Sequence, residues 1–268
     1  MKKRTAFIGA ILSLIPFGQP LLIKTGVFLS SSAVILSLSE NVNAESADEY
    51  FDIAFDMGES GNHKGAILNF TKVIELESDN YVAYMNRGWN KARLGDYYAA
   101  ISDYNKSIDI NSNYDQAYIN RGYSKAAIED HKGAIADFNE AIKIDPKNPV
   151  IYLNRGLSKS YVEDEYAAIS DFNKAIKIDP EYAKAYYNRA WSKQEIGDFQ
   201  GSIADYTKAI DLNPKYFQAY LNRGIIRSNL GEKRAACKDY KKSISLGDKE
   251  TANWLKKDGA SWCRNMKF

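Results

Sequence analysis

One 34-residue pattern runs six times from Ala47 to Glu250 without an inserted or deleted residue. A chain so written folds as stacked copies of one small unit, each too short to bury its own apolar surface alone. An aromatic recurs at Tyr50, Tyr84, Tyr118, Tyr152, Tyr186 and Tyr220, and Trp254 extends the series by one more period. Four residues after each of the first six stands a small side chain, Ala54, Gly88, Gly122, Gly156, Ala190 and Gly224. These spacings, with Ile135, Phe138, Ala141 and Ile142 later in the unit, divide each repeat into two amphipathic helices. Gly95-Asp96, Glu129-Asp130, Glu163-Asp164, Gly197-Asp198 and Gly231-Glu232 mark the turn between them, and Asp145-Pro146, Asp179-Pro180 and Asn213-Pro214 close three of the units.

An aromatic at unit position 4, small residues at 8, 20 and 27, an aromatic at 24 and Pro at 32 resemble the tetratricopeptide repeat. The resemblance covers units 47–80, 81–114, 115–148, 149–182, 183–216 and 217–250, and leaves 251–268 as a C-terminal capping helix and tail. It implies an all-α, right-handed superhelical solenoid of six helix-turn-helix units. Two departures stand out. Ser78, Ser112 and Asp248 replace Pro, and Arg87, Arg121, Arg155, Arg189 and Arg223 occupy position 7, where the family usually has Leu.

The first 44 residues read as an export signal. Lys2, Lys3 and Arg4 precede apolar stretches, and Val42-Asn43-Ala44 supplies small residues for cleavage between Ala44 and Glu45. Pro16, Pro20 and Lys24 interrupt the apolar stretch, so an uncleaved membrane anchor is the alternative. The expected location is across a membrane (periplasmic, lumenal or secreted), or on that membrane if the segment is retained. Removing 1–44 changes the formal charge from +2 to −1, a balance that asks for no nucleic acid.

The position-7 arginines occur only in units that also carry Asp103, Asp137, Asp171, Asp205 and Asp239 at position 23. Lys91, Lys125, Lys159, Lys193 and Arg227 follow at position 11, whereas unit one has Ile53, Met57 and Asn69 instead. Joint loss from one unit favours a structural ion-pair cluster joining the two helices of a repeat, over a basic ladder for an acidic ligand.

Positions 2, 5, 6, 9, 12 and 13 share the opposite face of the first helix, which lines the concave groove in the family. Position 6 is Asn86, Asn120, Asn154, Asn188 and Asn222, flanked by Trp89, Tyr123, Tyr187 and Trp191. A carboxamide pairs with both halves of a main-chain amide whatever the ligand's side chains, so a ladder of Asn suits an extended peptide, with aromatic pockets adding affinity. Packing between units is the competing role for the same residues. The basic clamp by which some family members grip a C-terminal carboxylate is absent, because positions 5 and 9 are mostly apolar.

His63 and His131 fall at unit turns too far apart to share a metal, and are expected to be exposed. No phosphate loop, metalloprotease helix or nucleophile elbow is present, so neither enzyme nor cofactor is expected. Cys237 and Cys263 lie on helices expected to run antiparallel at matching distances from their turn. A disulfide there is sterically allowed and compatible with export, with two free thiols as the alternative. The expectation is a non-catalytic module for a protein or peptide partner; a membrane-anchored assembly scaffold is the second reading, and an enzyme a remote third.

Overall fold

The computed structural model describes residues 46–257, 261–264 and 266. The export-signal reading, with Ala44 and Glu45, lies outside them. The chain divides into two compact units at Asp130 and His131. The first holds α1 (Ala47–Glu59), α2 (His63–Leu76), α3 (Tyr81–Arg93), α4 (Tyr97–Ile110) and α5 (Asp115–Ala127). The second holds α6 (His131–Ile144), α7 (Pro149–Tyr161), α8 (Glu165–Ile178), α9 (Ala183–Glu195), α10 (Phe199–Leu212), α11 (Phe217–Asn229), α12 (Lys233–Ser245), α13 (Lys249–Lys257) and α14 (Ser261–Arg264).

Within each unit every helix packs on its sequence neighbours, and first helices also touch across repeats, α1 with α3, α3 with α5 and α7 with α9. Turns of a few residues force consecutive helices to run antiparallel. The turns are chemically specified. Asn62, Asp96, Asp164 and Asp198 cap the second helices by accepting from the backbone N–H of Gly65, Ala99, Ala167 and Gly201, at 2.9–3.2 Å. The residue two before the second helix takes the left-handed conformation. Gly61, Gly95, Gly197 and Gly231 supply it at φ 83 to 85°, whereas Glu129 and Glu163 do so at 65 and 67°.

The core repeats with the sequence. Phe70 and Tyr104 in the first unit, and Phe138, Phe172, Tyr206 and Tyr240 in the second, are all buried to within 2 % of completely. Phe70, Tyr104, Phe172, Tyr206 and Tyr240 each pack on the small residue of their own first helix, Ala54, Gly88, Gly156, Ala190 and Gly224. A Cβ added at Gly156 would stand 2.7 Å from Phe172 Cε1, and one at Gly88 2.8 Å from Tyr104 Cε1, so glycine is what lets helix and ring approach. Burying one such ring contributes about 2–3 kcal/mol.

At the C-terminus the expected capping helix is α13, and the four-residue α14 follows it in the tail. Trp254 on α13 packs edge-on against Tyr240, at 5.4 Å between ring centroids, as the position-4 aromatic of a seventh half-repeat.

Candidate functional site

The position-6 asparagines do not share one environment. In the first unit Asn86 is 6 % exposed, and its side chain makes no hydrogen bond among the described residues. Asn120 accepts from Gln116 Nε2 at 3.3 Å and donates to Met85 Sδ at 3.4 Å. In the second unit Asn154 and Asn188 each donate to a carbonyl one turn earlier on their own helix, Val150 O at 2.6 Å and Lys184 O at 2.8 Å. Asn222 is drawn into the core, donating to Tyr187 Oη at 3.0 Å and Tyr206 Oη at 3.3 Å.

The aromatics divide likewise. Tyr123 and Tyr187 are buried, whereas Trp89 and Trp191 are partly exposed. Trp89 packs edge-on to His63 at 5.7 Å and lies 5.7 Å from the Arg93 guanidinium, and its Nε1 is buried without a partner among the described residues. Tyr187 stacks on Tyr216 at 4.7 Å, and burial pushes its hydroxyl up to about 12 against the opposing pull of Asn222. Among the described residues the Asn86 carboxamide and Trp89 Nε1 in the first unit, and one N–H of Asn188 in the second, have no hydrogen-bond partner.

The charged positions form triads. Asp103 takes two hydrogen bonds from Arg87, at 2.8 and 3.0 Å, and an ion pair from Lys91 at 2.7 Å. Asp171 holds Arg155 and Lys159, Asp205 holds Arg189 and Lys193, and Asp239 holds Arg223 and Arg227, all with closest approaches of 2.5–2.8 Å. The carboxylates are 3–5 % exposed, so each buried anion meets its counter-charges in good geometry. Arg121 belongs to the first unit and Asp137 to the second, where Asp137 is 3 % exposed.

Each arginine also reaches backward. Its third nitrogen donates to position 25 of the preceding repeat: Arg87 to Thr71, Arg121 to Asn105, Arg155 to Asn139, Arg189 to Asn173 and Arg223 to Thr207, at 2.6–3.2 Å. Position 25 is an acceptor in every repeat followed by an arginine, and Lys241 in the sixth, which precedes none. Unit one accordingly lacks Arg at position 7, having no earlier repeat to grip. The guanidinium lies near the position-4 ring of its own helix, as Arg155 does at 5.6 Å from Tyr152.

The histidines differ from expectation, being partly buried at contacts between repeats. His63 Nδ1 lies 3.0 Å from Asn90 Oδ1, and His131 stacks on Tyr161 at 4.3 Å. Cys237 on α12 and Cys263 on α14 are joined by a disulfide, with 5.3 Å between their Cα atoms. Among the described residues no helix is long and apolar enough to cross a membrane.

Family models agree with this architecture. Those described as tetratricopeptide repeat or TPR repeat match residues 81–114, 126–159, 150–182, 183–216 and 205–238, together more than half of the chain. No curated protein matches the chain. Among solved structures it is similar to MamA, with 25% identity, TM-score 0.57, and coverage of 62% of this chain and 96% of that one. It is similar in fold to YrrB, described as a TPR protein with an unusual peptide-binding site, with 20% identity, TM-score 0.57, and coverage of 70% and 97%. PilW, described as a widely conserved type IV pilus biogenesis factor, shares 15% identity with TM-score 0.70 over 78% and 98%. Repeat spacing, packing and these matches agree: the chain belongs to the tetratricopeptide-repeat family.

Proposed function

We propose that this protein is an exported, non-catalytic interaction module that holds an extended segment of a partner protein along the asparagine-bearing faces of its first helices. The observation that carries the reading is the spare hydrogen-bonding capacity at position 6. Asn86 is nine-tenths buried yet spends nothing on the fold, and Asn188 spends one N–H on its own helix. Such groups still reach solvent and can exchange water for a main-chain amide when one arrives. Trp89 and Trp191 stand one turn further along the same helices, placed to cover a ligand's side chains.

Export is the second part of the proposal, with residues 1–44 removed after Ala44. The Cys237–Cys263 disulfide supports it, because such bonds persist in oxidising compartments and seldom in cytosol. Mass spectrometry of the native N-terminus tests it: a chain starting at Glu45 is expected, and one retaining the apolar segment favours the membrane-anchored scaffold. For binding, cross-linking and pull-down with wild type and an Asn86→Ala, Asn188→Ala variant is decisive. Loss of partners at unchanged melting temperature is expected; an unchanged partner set refutes the asparagine-based reading.

A further inference from the structure

Asn222 and Asn86 hold the same position in different repeats, and only Asn222 finds acceptors there, Tyr187 Oη and Tyr206 Oη. Those two rings meet edge-on at 5.5 Å, and their counterparts in unit one, Phe51 and Phe70, meet edge-on at 5.3 Å. Phenylalanine has no hydroxyl, so the first repeat keeps the ring pair and loses both acceptors. Asn120 reaches back by the same 35 residues, to Met85 Sδ. By that register the Asn86 carboxamide, 6 % exposed, is aimed at Phe51 of α1, and it has no hydrogen-bond partner among the described residues.

Helix α1 surrounds that ring with acid. It carries Asp48, Glu49, Asp52, Asp56 and Glu59 and no basic residue. All five are exposed, and none has an ion-pair partner among the described residues. Asp48, Phe51, Asp52, Phe55 and Glu59 fall at i, i+3, i+4, i+7 and i+11, so three carboxylates and two partly exposed rings share one face. That face is the one that carries position 6, where Asp52 stands in place of the Asn of the next five repeats. No group of three such side chains is placed to hold a metal ion among the described residues.

We propose that the partner segment is basic where it crosses the first repeat, with lysine or arginine side chains set among Asp48, Asp52 and Glu59 and against the faces of Phe51 and Phe55. The inference rests on the peptide-binding reading above and adds the chemistry of the ligand at one end of the asparagine series. Charge complementarity selects a cation, and an aromatic face beside a carboxylate suits an alkylammonium or guanidinium better than a hydrated metal ion. The Asn86 carboxamide then takes the main-chain amide next to the basic side chain, and so fixes the register of the segment on α1. Exposed carboxylates of this kind act chiefly on encounter and specificity, and salt weakens them.

Fluorescence anisotropy on the full chain tests this with three labelled, acetylated and amidated octapeptides that alternate Leu with Lys, Gln or Glu. At about 50 mM salt the Lys peptide should bind at least about tenfold tighter than the Gln peptide, and the Glu peptide weakest; at about 0.5 M the Lys and Gln peptides should converge. Asp48→Gln, Asp52→Asn and Glu59→Gln together should lower the affinity for Lys to that for Gln and leave Gln binding unchanged. Should that variant fail to fold, the salt dependence of the wild type decides. Equal binding of Lys and Gln peptides at low salt, or a Lys preference that the neutral variant keeps, overturns the inference and leaves the asparagine reading standing. Asn86→Ala with Asn188→Ala should weaken all three peptides alike, and unchanged affinities there refute the asparagine reading whatever the ranking. Absence of binding by any peptide overturns both. Wild-type oligomers in sedimentation velocity that the neutral variant dissolves overturn the inference in favour of a second copy as the occupant of α1.

Discussion

Arg155 grips Asp171 through two parallel hydrogen bonds of 2.5 and 2.9 Å across the two helices of one repeat, and extends its remaining nitrogen 2.7 Å to Asn139 of the repeat before. One side chain thus fixes both the fold of its repeat and the docking of that repeat on its neighbour. The planar fork of arginine allows this, and a lysine point charge would not.

Removing the charge of Asp171 leaves Arg155 and Lys159 facing each other over a neutral group. Asp171→Asn should cost about 3 kcal/mol, since a buried ion is left uncompensated. Arg155→Leu with Asp171→Leu removes both charges and should cost less than half of that, while Lys159 turns to solvent. Urea unfolding of the two variants decides the matter, and equal losses would rule out the pairing as an energetic unit.

Much of this architecture is legible in the sequence because it is local and periodic. The small residue at Gly156 and the ring at Phe172 are fixed by spacing alone, and unit one betrays the Arg–Asp partnership by lacking both members. The backward reach to Asn139 is harder to see. Every position recurs at the same period, so contact within a repeat and contact with the previous repeat leave the same imprint; Lys241 in the last repeat is the one break in the series. The partial burial of the histidines is hidden for a related reason, since a turn residue reads as exposed until the next helix is stacked against it, as Trp89 is on His63. The asparagine stripe looks uniform in sequence, yet Asn222 is captured by Tyr187 and Tyr206 while Asn86 is not. Three-dimensional neighbours, not the residue type, decide which carboxamides are left over.

Glu129 holds a left-handed backbone position at φ 65°, where four other repeats use glycine. Its N–H still closes the end of α5 by donating to Ala126 O at 3.0 Å, so the geometry is kept despite the Cβ. A non-glycine residue pays about 1–2 kcal/mol there, part of which glycine returns through its freer unfolded chain. Glu129→Gly should therefore raise stability by about 0.5–1 kcal/mol, read as a higher urea midpoint at unchanged m-value.

Tyr187 should respond to alkali late and abruptly. Burial raises its hydroxyl from 10.0 to about 12 in the folded protein, and Tyr206 and Tyr216 beside it are raised as well. The folded state thus holds protons that the unfolded state releases from about pH 10. The stabilisation is complete below that pH and is lost as pH climbs toward 12. Thermal melting should weaken steadily above pH 10, and tyrosinate absorbance should show a late component coincident with unfolding. A Tyr187→Phe, Asn222→Leu variant, which removes the bonded pair together, should flatten the late component more than it lowers the melting temperature at pH 7.

The Cys237–Cys263 bridge ties α14 to the last complete repeat, supported by the hydrogen bond from Lys241 Nζ to Met266 O at 2.8 Å. It closes a loop with sequence separation 26, for which chain-entropy arguments give about 3 kcal/mol of stabilisation. In a solenoid, stability is summed over repeats and their interfaces, so that loss should stay near where it is made. Reduction with a thiol reagent should release two titratable thiols. Amide hydrogen exchange should then quicken in α12, α13 and α14 while α7, α8 and α9 keep their protection. Quickening that spreads evenly to α7 would mean the second unit unfolds as one cooperative block, and that the bridge secures more than the end it joins.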